Sequence, residues 1–199
     1  MNSRSQPVEK INTDTEIKQS LDTLTLAFST DPLFRWLFPE ADTYINCFPT
    51  FIKGFGGRSF SLGTAFSDPD GDGVSLWLPP TERPEEGILS EFFQEHLSES
   101  KLTTAGAAFE ELDSYHPDKP FWHLTLIGVD PACQQNGIGS SLMNHVTEII
   151  DENPTPAYLE TANPATISLY TRYGFEPVGT IHQPPMPPLI SMVRPATSK

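Results

Sequence analysis

The run Phe121-Trp-His-Leu-Thr-Leu-Ile-Gly-Val129 constrains the fold of this chain more than any other segment. It is a nearly unbroken series of apolar and β-prone residues, the pattern of a central strand covered on both faces. Such a strand needs helices packed above and below it. The sequence supplies one directly: Gly137-Ile-Gly139 opens a segment in which Leu142, Met143, Val146, Ile149 and Ile150 fall on one helical face. After Pro154 and Pro156, Ala157-Tyr-Leu-Glu-Thr161 reads as a second strand. Strand, helix, strand in that order implies a parallel crossover.

The flanking segments fit a mixed α/β domain. Thr13-Asp-Thr-Glu16 has the form of a capping box, and Ile17, Leu21, Leu24 and Phe28 continue it at helical spacing, predicting a helix over about 14–29. Ser29-Thr-Asp-Pro32 caps a second helical stretch rich in aromatics, which Pro39 and Pro49 are expected to break. Phe60 to Phe66 and Val74 to Leu78 read as strands of a hairpin joined by an acidic turn. In that turn Asp68, Asp70 and Asp72 match the start of a calcium loop, but its twelfth position is Pro79, where a bidentate carboxylate is required, so a solvated turn and no metal are expected. A loop over 80–90 leads to one or two short helices over 88–116. Asn163, Pro164 and Gly174 bracket a helix of about ten residues. Phe175 to His182 and Leu189 to Val193 form a last hairpin around Pro184-Pro-Met-Pro-Pro188, a rigid loop or a polyproline ligand. No internal boundary is compelling, and one domain over 1–199 is expected.

Charge narrows the partners. With 26 Asp and Glu against 12 Lys and Arg the net charge is −14, which repels nucleic acid and anionic membrane surfaces and attracts cations. Cys47 and Cys133 form neither a zinc motif nor a disulfide framework. Together with an amino end, MNSRSQPVEKINTDTE, that has no apolar run, this favours the cytoplasm.

The chemistry-bearing segment is Val129-Asp-Pro-Ala-Cys-Gln134-Gln-Asn-Gly137-Ile-Gly139-Ser-Ser-Leu142. Unpaired N–H groups and the positive dipole end of a helix amino terminus hold anionic phosphate, and glycines let the backbone approach closely. The dinucleotide fingerprint fails because Leu142 stands where its third glycine belongs, and no Walker lysine follows. On the glycines alone, a purely structural tight turn stays open.

Gln134-x-x-Gly137-x-Gly139 resembles the acyl-CoA motif of the GNAT superfamily of N-acetyltransferases. Leu159-Glu-Thr-Ala-Asn-Pro-Ala-Thr-Ile-Ser-Leu-Tyr170-Thr-Arg-Tyr-Gly-Phe175 is similar to that superfamily's second signature, a Leu-Tyr pair followed by Gly-Phe. Over about 119–194 the chain also looks like the carboxy half of the puromycin N-acetyltransferase family, with weaker likeness over Leu24 to Pro80 and none over 85–118. Relatives often carry Gly and a basic residue where this chain has Gln135 and Asn136. Phosphate binding is then expected to rest on backbone amides.

The resemblance implies a central twisted sheet flanked by helices, with strands four and five splayed, and direct acetyl transfer from acetyl-CoA to an amine. It implies cofactor contacts at Ile127, Val129, Gln134, Gln135, Asn136, Gly137, Ile138, Gly139, Ser140 and Asn163. It places Tyr170 as general acid to the leaving thiolate, although a core aromatic is the simpler reading of that residue alone. Two groups are candidates for the base. Glu160 sits in an apolar strand, where a carboxylate is costly unless it faces a cleft or is paired, and a salt bridge or substrate-orienting role is its alternative. His123 stands where several superfamily members carry a glutamate base, or is a satisfied core histidine. Cys133 is read as a loop residue. The resulting expectation is a small-molecule N-acetyltransferase, monomeric or homodimeric, with a non-catalytic acyl-CoA-binding module as the alternative.

Overall fold

The computed structural model describes residues 7–196; residues 1–6 and 197–199, the first of which open the amino-terminal stretch read above, lie outside the described residues. A short strand β1 (Glu9–Lys10) precedes helix α1 (Asp14–Ala27), whose capping box forms as the sequence predicts. Glu16 N donates to Thr13 Oγ1 at 3.2 Å, and the amides of Asn12 and Thr13 each donate to Glu16 Oε2 at 2.8 Å. Asp31 caps α2 (Pro32–Leu37), and α3 (Ala41–Phe55) and α4 (Arg58–Leu62) follow.

Two expectations fail here. Pro49 does not break α3 but sits inside it. The carbonyl it deprives of a partner belongs to Ile45, which is 57% exposed and so faces water, while Tyr44, Cys47, Phe48, Phe51 and Ile52 are buried on the other side. A proline inside a helix costs ~3 kcal/mol, and burying several large apolar side chains at ~1.5–3 kcal/mol each outweighs it. The run expected as a strand from Phe60 begins as α4, a single turn ended by Gly63 with φ +67°, and only Ala65–Ser67 becomes strand β2. Its Phe-Ser-Leu alternation was too short to separate a strand from a helical turn.

Strand β3 (Gly73–Leu78) is buried throughout, and Asp68 braces the turn before it by accepting from Gly73 N at 2.6 Å. Helices α5 (Glu86–His96) and α6 (Glu99–Asp113) lead to β4 (Trp122–Val129), α7 (Ile138–Glu152), β5 (Ala157–Thr161), a 3-10 turn (Pro164–Thr166), α8 (Ile167–Arg172), β6 (Glu176–Ile181) and β7 (Leu189–Arg194). Among the described residues seven strands make one mixed sheet in the order β1-β2-β3-β4-β5-β7-β6, in which β4 and β5 are the parallel pair. Its face toward α1, α3 and α5 buries Leu24, Phe48, Phe51, Ile52 and Phe92 with Leu76 and Leu126; the other buries Leu142, Met143, Val146 and Ile150 of α7 with Leu124, Leu159 and Phe175.

A register shift in the middle of β4 positions the site. Leu76 pairs with Leu126 but Trp77 pairs with Leu124, so Thr125 is an extra residue, and its hydroxyl donates to Leu76 O at 3.0 Å. Leu124 and Leu126 consequently pack on opposite faces of the sheet. A bulge of this kind bends and over-twists its strand. Close packing of α1 against the bent half depends on Gly128, where a Cβ would lie 2.7 Å from Ala27 Cβ.

Candidate active site

Strands β4 and β5 pair only at Trp122↔Ala157 and His123↔Tyr158. Beyond that point β3 continues to hold β4, β7 continues to hold β5, and the two strands part. A cavity of about 410 Å³ opens in the wedge, lined by Leu124 to Val129 on one side and Leu159 to Asn163 on the other. Facing strand edges left without a neighbour offer a ligand their N–H and C=O groups. This is the splay expected for strands four and five, and it includes Ile127, Val129 and Asn163. Asn163 also caps the turn after β5, its Oδ1 accepting from Ala165 N at 3.1 Å.

The glycine loop closes one end of the wedge. Gln135 and Gly137 adopt left-handed conformations, with φ of 65° and 87°. Gln134 lines the cavity and its side-chain amide donates to Val129 O at 3.2 Å, while that of Asn136 donates to Cys133 O at 3.2 Å. These side chains therefore brace the loop rather than supply charge. Helix α7 has no side-chain cap at Gly137, which leaves its first-turn amides and dipole directed at the loop. Of those residues Ile138 buries its side chain in the core, so its available group is the amide; Ser140 accepts from the Tyr173 hydroxyl at 2.8 Å. A Cβ at Gly139 would meet Val129 and Leu169 only at 3.8 and 3.9 Å. Packing within the protein does not demand a glycine there, whereas a phosphate seated on the amides would. The residues present fit an acyl-CoA pyrophosphate held by backbone groups.

Tyr170 lines the cavity from α8 and is 6% exposed. Burial pushes its phenol up to about 12, the charges of Asp31 and Glu160 add to the shift, and a hydrogen bond with Thr166 opposes it. It stays protonated near neutral pH and can act as a donor.

Glu160 reaches the cavity from β5 and accepts at Oε2 from His123 Nε2, 3.1 Å away. His123 itself is buried behind it, 5.6 Å from the Phe55 ring and 5.4 Å from that of Tyr158, and does not line the cavity. The two candidate bases are thus one hydrogen-bonded pair, with the carboxylate in front. His116 lies behind them, 6.5 Å from His123; burial holds its imidazole below the usual range, and His123 pushes in the same direction.

Cys133 is not poised for chemistry, because a hydrogen bond with Asp72, more than burial, raises its thiol to about 11. Asp31, in the run Ser29-Thr-Asp-Pro32 read only as a helix cap, also lines the cavity. Nothing local in Ser29-Thr-Asp-Pro32 signals that its carboxylate meets a cavity formed by strands about a hundred residues later.

Residues 98–177 match the family model of the acetyltransferase (GNAT) domain. Over that stretch the chain is similar to a GNAT acetyltransferase domain. The match takes in β4, the glycine loop, α7, β5 and α8, and with them the wedge. Solved structures share the fold over almost the whole chain. A histone acetyltransferase HPA2 and related acetyltransferase from Corynebacterium glutamicum is 24% identical, with a TM-score of 0.68 and 98% of each chain covered. The arylalkylamine N-acetyltransferase 2 of Aedes aegypti is 13% identical, with a TM-score of 0.66 and 96% and 99% covered. The polyamine N-acetyltransferase of Drosophila melanogaster, which forms N-acetylagmatine, is 15% identical, with a TM-score of 0.63 and 94% and 98% covered. A mycothiol acetyltransferase of Mycobacterium sp. (strain JLS) is 36% identical over 58 residues, 26% of this chain and 19% of that protein, so the match spans about a fifth of the relative. Among the described residues no helix is long and apolar enough to cross a membrane.

Proposed function

We propose that this GNAT-like domain is an N-acetyltransferase that moves an acetyl group from acetyl-CoA directly to the amine of a small molecule. The observation that carries the reading is the single cavity into which the glycine loop, the free edge of β4, Tyr170 and Glu160 all open.

Acetyl-CoA, when bound, supplies an activated thioester whose carbonyl carbon takes the acceptor's nitrogen as the carbon–sulfur bond breaks. The amides of the loop and of the first turn of α7 hold its phosphates, and the β4 edge from Ile127 to Val129 aligns its pantetheine arm. Glu160 receives the proton that the nitrogen loses as it bonds to carbon, and His123 holds the carboxylate toward the cavity. Tyr170 donates its proton to the sulfur. A thiolate in an apolar cavity itself gains basicity by desolvation, which narrows the gap to a phenol raised to about 12.

A small acceptor suits a cavity of about 410 Å³. The −14 net charge supports a cationic one and argues against nucleic acid and anionic membrane surfaces as partners. The puromycin-type resemblance places aminonucleosides in the panel of acceptors, and the cysteine usage supports a cytoplasmic setting. Thiol release from acetyl-CoA with added amines tests the reading. Amine-dependent turnover supports it, while cofactor binding without turnover on polyamines, arylalkylamines, amino acids, aminonucleosides and basic peptides replaces it with the acyl-CoA-binding module.

A further inference from the structure

Among the described residues the cavity wall carries formal charge at only two side chains, Asp31 and Glu160, and no lysine, arginine or histidine lines it. Glu160 has His123 as its partner. Asp31, at the corner between α1 and α2, takes part in no ion pair among the described residues. Its Oδ1 accepts from Leu33 N at 2.9 Å and Phe34 N at 3.3 Å. Capping of this kind needs one side-chain oxygen and works about equally well with asparagine or serine. The negative charge is therefore surplus to the helix.

Burial raises the Asp31 carboxyl above its ordinary range, opposed by the two amides, as expected for an acid in apolar surroundings without a counter-ion. Its charge acts on the Tyr170 phenol, more strongly than that of Glu160 does. An aromatic wall joins the two carboxylates. Phe28 meets Phe34 edge-on at 5.6 Å, Phe34 meets Phe51 at 5.0 Å, Phe51 stacks on Phe55 at 5.3 Å, and Phe55 meets His123 at 5.6 Å. Such a wall favours an apolar body and tolerates an ammonium over its ring faces. Apart from Asp31 and the Glu160 carboxylate already bonded to His123, it offers nothing to a further positive charge, which would be buried without a partner.

We propose that Asp31 receives the ammonium of the incoming acceptor before its nitrogen reaches Glu160, and that the acceptor is a monoamine carrying an aromatic or branched aliphatic body. The inference rests on the acetyl-transfer reading of the same cavity. It makes Asp31 a specificity residue, and it separates acceptors by the number of their charges rather than by charge alone.

The test uses Asp31→Asn and, as a second capping variant, Asp31→Ser, each checked for an unchanged thermal midpoint shift with acetyl-CoA. Phenethylamine binding is measured by calorimetry, and its kcat/KM by thiol release, with spermidine as polycation and 2-phenylethanol as uncharged competitor. Loss of a charge-assisted hydrogen bond predicts phenethylamine affinity and kcat/KM lower by about 10- to 100-fold in both variants. Inhibition by 2-phenylethanol stays the same, and the wild type prefers phenethylamine to spermidine. Unchanged phenethylamine binding in folded variants, or a wild-type preference for spermidine, overturns the assignment. Charge-dependent phenethylamine binding in a wild type that never turns over keeps Asp31 as an ammonium site and overturns acetyl transfer instead.

Discussion

His123 Nε2 lies 3.1 Å from Glu160 Oε2, a bond that bridges β4 and β5 at the place where their pairing ends. His123 belongs to the last paired position, and Glu160 lies just past it on the free side of the wedge. The fork of the sheet therefore sets the carboxylate at the cavity and the imidazole behind it. If Glu160 takes the acceptor's proton, Glu160→Gln lowers kcat/KM by ~10²-fold or more and removes the acidic limb of its pH profile. His123→Phe lowers it less, and the double variant is no worse than Glu160→Gln, because the histidine acts through the carboxylate. Additive losses would show two independent roles.

Tyr170→Phe is expected to reduce kcat by ~10²-fold or more while leaving the stabilisation by acetyl-CoA intact. The acid is active while protonated and is lost only as pH rises through about 12. Wild-type kcat should thus show no alkaline limb from this group below about pH 11. Full turnover in Tyr170→Phe would return the residue to the core.

The same tyrosine makes a stability prediction. A phenol raised above its unfolded value near 10 gives stability that is complete below about pH 10 and is lost as pH climbs toward 12. Tyr44 and Tyr158 are raised as well, chiefly by burial. The thermal midpoint should fall between about pH 10 and 12, and less steeply in Tyr170→Phe than in the wild type. Parallel curves would mean that Tyr170 titrates alike in the folded and unfolded chains.

Gly137→Glu should abolish the rise in thermal midpoint that acetyl-CoA produces by binding only the folded chain. It adds a like charge at the phosphate cradle and a side chain where φ is 87°. Gly137→Ala carries the backbone strain without the charge and should retain part of the shift. An undiminished shift in Gly137→Glu would place the cofactor elsewhere.

Much of the fold was legible because its signals are local. The capping box at Thr13, the buried run of β4, the amphipathic face of α7 and the Asn163-Pro164 start are each readable within a few residues. What escaped depends on distant partners. Pro49 stays helical because the aromatic face around it is buried by other elements. Strand β1, with two exposed residues, has no apolar alternation and exists only through its pairing with β2. In the site, the motifs pointed to Gly137, Gly139 and Tyr170, but not to the bond that makes His123 and Glu160 one unit. Nor could they show that Asp31 faces the same cavity.

The most direct measurement follows free thiol and acetylated amine together, with purified protein, acetyl-CoA and phenethylamine. One thiol released for each amide formed, both dependent on the amine and both lowered by ~10²-fold or more in Tyr170→Phe, is the outcome predicted for direct transfer in the wedge. Acetyl-CoA binding with no amide formed on any amine of the panel, or amide formation unaffected in Tyr170→Phe and Glu160→Gln alike, would contradict it.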